Sequence, residues 1–87
     1  MIFDSKRSES DIIYIVLNET VHGIKKTQLM YNANMSNTQL NRYLDILIDK
    51  KFIEERETQQ QGKKYYLTDK GGELLDPLNQ VISLFKE

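Results

Sequence analysis

Residues 24–71 read IKKTQLMYNANMSNTQLNRYLDILIDKKFIEERETQQQGKKYYLTDKG, and the order of signals along them decides the fold. Leu29, Met30 and Ala33 give a short apolar face at i, i+1 and i+4, closed by Asn32-Ala33-Asn34. Ser36 follows as an N-cap, with Gln39 at the third helical position as in a capping box. Behind it Leu40, Tyr43, Leu44, Leu47 and Ile48 recur at i, i+3, i+4, i+7 and i+8, an amphipathic helix. Phe52-Ile53 opens a strand, Glu57 to Gly62 form a polar loop, and Lys63-Lys64-Tyr65-Tyr66-Leu67 return as a second strand. Thr68 then caps a final helix.

Short helix, tight turn, longer helix, charged hairpin and new helix start is the order of a winged helix-turn-helix. The predicted class is mainly α with a small β-hairpin (α+β): a three-helix core, a wing and a C-terminal helix. Such modules commonly place one helix in the DNA major groove, although the same fold also docks proteins. Upstream, helix 1 should begin near Ser8 or Ser10, since Ser8 and Asp11 resemble a capping box with a shorter acid. Ile12, Ile13, Ile15, Val16 and Leu17 make it the central core element. It should stop around His22-Gly23, with Gly23 left-handed, and Thr27 should cap helix 2. Downstream, Gly71-Gly72 allow close approach to the sheet. Pro77 should either kink the last helix or restart it with Asp76 as cap. The expected organisation is a tail over 1–7, the winged domain over 8–67, and a C-terminal dimerisation helix over 68–87.

Eighty-seven residues, 29% charged and 39% hydrophobic, describe one globular domain rather than a disordered chain. No apolar run approaches a membrane span, MIFDSKRSESD lacks a secretory apolar region, and there is no cysteine, so a cytoplasmic protein is expected. One histidine, no Gly-rich phosphate loop and no paired ligand spacing argue against an enzyme and predict neither cofactor nor metal. The net charge is −1, but it is unevenly spread. Residues 22–51 carry five basic side chains against two acidic ones, placing a local excess on the helix-turn-helix where a phosphate backbone would pass.

Around helix 3 the core side is centred on Leu40, Leu44 and Leu47, so Thr38 and Arg42 point outward, Asn41 flanks them and Asn37 lies in the first turn. Arg, Asn and Thr are residue types that read base edges. They also cover the wet side of any surface helix. Asp45 and Asp49 fall on the same outward face, so only the first turns should enter a groove. Lys63 and Lys64 lie after the wing tip, where a wing would straddle the backbone or minor groove, and with Lys25 and Lys26 before helix 2 they are candidate positioning contacts to phosphate. Leu74, Leu78, Val81 and Phe85, with Leu75 and Ile82 alongside, form an apolar seam suited to a two-fold homodimer. The competing expectation is a protein-docking module using Tyr31, Ile46 and the wing, or the C-terminal seam.

The run GIKKTQLMYNANMSNTQLNRYLDILIDKKFIEE, followed by KKYYLTDKGGELL, resembles the small archaeal winged-helix DNA-binding proteins over about residues 8–75. These include dimeric transcriptional regulators and a chromatin-type branch with an antiparallel coiled-coil arm. The resemblance implies double-stranded DNA as partner, contacted through Asn37, Thr38, Asn41 and Arg42 with Lys63 and Lys64 on the wing. It also implies dimerisation through the last helix. This chain is slightly acidic and its last helix is short and contains Pro77, departures that favour a sequence-specific regulator over the chromatin type.

Overall fold

The structure, a computed structural model, describes residues 7–85; the side chains of Asn79, Ile82, Ser83 and Phe85 lie outside the described set. Helix α1 spans Glu9–Glu19 and opens with a complete capping box. The Ser8 hydroxyl accepts from the Asp11 amide at 3.1 Å, and the Asp11 carboxylate accepts from the Ser8 amide at 3.0 Å. The helix ends earlier than His22-Gly23, the expected stop. Buried Thr20 turns the chain aside: its hydroxyl donates to the Leu17 carbonyl at 2.8 Å, and its own carbonyl accepts from Gly23 and Leu67 amides at 3.1 and 2.9 Å. Gly23 is left-handed as expected (φ 83°), yet it shapes the following loop rather than the helix end.

Helix α2 spans Lys26–Ala33, starting one residue before Thr27, which therefore does not cap it. Lys25 holds the N-cap position in an extended conformation and makes no side-chain capping bond. The cause is distant in sequence. Ile24 exchanges both backbone hydrogen bonds with Tyr65, at 3.1 and 2.9 Å, which keeps the chain extended until Lys25.

The corner between α2 and α3 (Asn37–Asp49) is built by local chemistry. Asn34 adopts the left-handed conformation (φ 54°, ψ 53°), and the amides of Asn34 and Met35 bond back to the carbonyls of Tyr31 and Met30. This double closure is a Schellman motif, in which Asn is tolerated because it visits the left-handed region more readily than most residues. Buried Met35 plugs the corner, and Ser36 accepts from the Gln39 amide at 3.1 Å to start α3. Leu40, Tyr43, Leu44 and Leu47 are buried, and Ile48 is half-buried.

Strands β1 (Ile53–Thr58) and β2 (Gly62–Leu67) form an antiparallel hairpin, with Ile53 opposite Leu67 and Thr58 opposite Gly62. Its turn is tighter than the expected loop of Glu57 to Gly62. Glu57 still pairs with Lys63, and the Thr58 hydroxyl accepts from the Gln61 amide at 3.0 Å. Helix α4 covers Asp69–Phe85 and continues through Pro77 without restarting at Asp76. Thr68 caps it by accepting from the Gly71 amide at 3.0 Å, while its hydroxyl donates to the Lys51 carbonyl at 2.6 Å. The first turns of α4 pack on α1 and β2, burying Leu75 and drawing Leu74 against the core.

Candidate nucleic-acid interface

Inward burial of Leu40, Tyr43, Leu44 and Leu47 fixes what α3 shows to solvent. Asn37, Thr38 and Arg42 are exposed and Asn41 is half-buried, as the helical period predicts. None of the four has a hydrogen bond or ion pair among the described residues; Arg42 only lies 5.8 Å from the centre of the Tyr43 ring. The polar side chains of α2 behave differently. Gln28 donates to Asn32, and Asn32 donates to Glu19 on α1, at 2.8 and 2.9 Å. Gln28 and Asn32 of α2 are thus engaged, whereas the polar side chains at the start of α3 have no such partner among the described residues. Asp45 and Asp49 are exposed on the same helix, so a negative stripe follows the polar one.

The wing separates its two lysines. Neighbours on a strand point to opposite sides, and each residue shares a side with the one directly across. One side carries Ile53, Glu55 and Glu57 against Leu67, Tyr65 and Lys63; the other carries Glu54, Arg56 and Thr58 against Tyr66, Lys64 and Gly62. Ile53 and Tyr65 are buried, so the first side is the inner one. There Lys63 is 3.4 Å from the Glu55 carboxylate, whose hydrogen bond and charge raise the lysine above its ordinary pKa. Burial raises the Tyr65 phenol, helped by the negative charges of Glu55 and Asp45 and opposed by Lys63.

On the outer side Lys64 and Lys25 border a shared shallow depression of about 320 Å³ with Gly23, Ile24, Thr27 and Gln28. Lys25 and Lys64 make no ion pair among the described residues. Lys26 stands half-buried on the first turn of α2 and is not part of that depression. The structure thus brings Lys25 and Lys64 together and keeps Lys63 apart from them.

Two residues at these surfaces were missed by the sequence reading. Arg56 sits directly across from Lys64, its guanidinium 4.4 Å from the centre of the Tyr66 ring and its Nε bonded to Glu54. Strand alternation through Glu54-Glu55-Arg56 was the available signal. Arg7, counted with the tail, donates to the carbonyls of Ala33 and Asn34 at 2.6 and 3.0 Å and so braces the end of α2. No local pattern announces that contact.

Of the apolar seam on α4, Leu74 packs against the domain's own core and Leu78 is half-buried. Val81 is 52% exposed and Leu84, absent from the expected seam, 77%. Ile82 and Phe85 lie outside the described side chains. Among the described residues Tyr31 on α2 is the most exposed large apolar one at 83%, and Ile46 is 40% exposed. Among the described residues no cluster of three or more His, Asp or Glu side chains could hold a metal ion, and no helix is long and apolar enough to cross a membrane.

The family described as winged helix-turn-helix matches residues 6–86. An uncharacterized protein of the archaeon Methanocaldococcus jannaschii is 30% identical over 80 residues, covering 91% of this chain and 77% of that protein. Among solved structures, Sso10a-2, a DNA-binding protein from Sulfolobus solfataricus, aligns with a TM-score of 0.78 at 21% identity over 92% of this chain and 83% of its own. F93 from STIV, a winged-helix DNA-binding protein, aligns at 0.66 with 28% identity over 79% and 84%. A MarR-family transcriptional regulator from Silicibacter pomeroyi aligns at 0.67 with 22% identity, over 82% of this chain and 49% of the regulator.

Proposed function

This chain belongs to the winged helix-turn-helix family, and from that premise we propose that it is a sequence-specific double-stranded DNA-binding protein, a transcriptional regulator acting as a homodimer. The first turns of α3 enter the major groove and the wing rests on the backbone. One observation carries the reading: Asn37, Thr38 and Arg42 are exposed and unengaged on the turns that such modules use for base readout. The names of Sso10a-2 and F93, both described as DNA-binding, support it. Asp45 and Asp49 limit the depth of insertion, because both would meet phosphates if the whole helix entered.

The test is fluorescence anisotropy against duplexes of varied sequence. Arg42→Ala is expected to reduce discrimination at one base position by about 1–3 kcal/mol while leaving binding to unrelated duplexes almost unchanged. Equal weakening on every sequence would remove Arg42 from base readout.

Dimerisation is assigned to the distal half of α4, where Val81 and Leu84 present unshielded apolar surface. The double variant Val81→Glu/Leu84→Glu should sediment as a monomer and lose the tighter binding to a duplex carrying two half-sites. A monomeric unmodified protein would refute the homodimer. The second reading, protein docking without DNA, is favoured by the exposure of Tyr31 beside Met30 and Met35. It would replace the first if folded protein bound no duplex at low salt and instead bound a protein partner stoichiometrically through that patch.

A further inference from the structure

A single antiparallel bridge between Ile24 and Tyr65 ties the segment before α2 to the outer edge of β2. Its antiparallel register sets Gly23 across from Tyr66 and Lys25 across from Lys64. The Gly23 pairing is visible in the packing, because a Cβ on Gly23 would fall 2.3 Å from the Tyr66 ring. The hairpin register sets Arg56 across from Lys64 on the far side. Lys25, Lys64 and Arg56 therefore form one row across the bridged segment, β2 and β1, all on the outer side of the hairpin. At about 4.8 Å between strands the row is roughly 10 Å long.

Three cations in line are unfavourable within an isolated sheet, since like charges directly across from one another repel. Lys25 and Lys64 have no carboxylate within ion-pair distance among the described residues. Arg56 is held by Glu54 through Nε alone and lies over Tyr66, so its two terminal nitrogens are oriented and have no partner among the described residues. An arginine fixed in that way presents the planar fork that matches phosphate oxygens. The inner side is the reverse: Lys63 is paired with Glu55 and lies across from Glu57.

We propose that the outer face of the hairpin, with the segment bridged to it, is the seat of the phosphodiester backbone, with Lys25, Lys64 and Arg56 contacting one stretch of strand and Lys63 taking no part. The assignment rests on the DNA-binding reading and deepens it by choosing one side of the wing and adding Arg56. Glu54 keeps Arg56 in place, whereas Glu55 and Glu57 turn the inner face away from phosphate.

Salt series of anisotropy with a random-sequence duplex test the assignment on single variants Lys25→Gln, Lys64→Gln, Arg56→Gln and Lys63→Gln, each shown folded by thermal melting. Each of the first three should weaken binding roughly fivefold at about 0.1 M salt and flatten the log–log salt slope by about 0.9. Lys63→Gln should stay within about twofold at an unchanged slope. Arg56→Lys should keep the native slope, which separates charge from packing on Tyr66. The proposal is overturned if Lys63→Gln flattens the slope as much as Lys64→Gln. It is also overturned if the row variants leave the slope intact while the native protein binds. Native protein that binds no duplex at low salt overturns the DNA-binding reading itself, and this assignment with it.

Discussion

Gly71→Ala should destabilise the domain by about 3 kcal/mol, whereas Gly72→Ala, one residue on, should stabilise it by about 0.5–1 kcal/mol. Both glycines sit in the first turn and a half of α4. A Cβ on Gly71 would fall 2.1 Å from the Phe52 carbonyl oxygen and 2.6 Å from a Leu67 methyl. The leucine can rotate, but the carbonyl cannot easily retreat. It accepts from the Thr68 amide at 3.1 Å, and the Thr68 hydroxyl is bonded to Lys51 and to the Gly71 amide. Making room therefore means separating the start of α4 from the end of α3. At Gly72 the nearest atom to a new Cβ is 4.0 Å away, so alanine there gains helix propensity without a clash. Thermal melts should show the first variant down by roughly 15 °C and the second up by a few degrees. Equal shifts in the same direction would mean that the junction yields.

Leu40→Ala should cost about 2–5 kcal/mol and reduce DNA binding only as far as it reduces the folded fraction. Leu40 has no exposed surface and lies on the buried side of α3, two residues before outward-facing Arg42. Removing its methyl groups leaves a cavity between α3 and the rest of the core, and the close packing around it permits only partial collapse. Arg42→Ala should do the opposite, leaving the melting temperature nearly unchanged while altering duplex preference. Urea titrations read by circular dichroism, paired with anisotropy well below the unfolding midpoint, distinguish the two. A Leu40→Ala protein that is fully folded yet does not bind would place that residue's effect in the geometry of the reading surface instead.

What the sequence revealed follows the range of the interaction. The caps at Ser8, Ser36 and Thr68 each bond to an amide three residues ahead, so the pattern that specifies them is visible within four letters. The period of α3 is likewise local, and it placed Thr38 and Arg42 correctly on the exposed side. The C-terminal end of α1 and the start of α2 were misplaced because distant partners set them, Leu67 for Thr20 and Tyr65 for Ile24. Lys63 and Lys64 look like one basic pair in sequence, although strand alternation alone divides them between two faces. Which face is inner depends on the burial of Ile53 and Tyr65. Arg56 went unrecognised for the same reason, since its place beside Lys64 exists only once the hairpin register is fixed.

The bridge between Ile24 and Tyr65 also constrains how the protein is made. A two-stranded hairpin is marginal in water, and this one is tied at its β2 edge, through a single bridge, to the segment before α2. That pairing closes a loop containing α2, α3 and β1, so its entropic cost is met only when most of the core has formed. The wing is therefore not an appendage that can mature on its own schedule. Its cationic row is assembled in the same cooperative step that condenses the helices, and it disperses in the same opening fluctuation that exposes them.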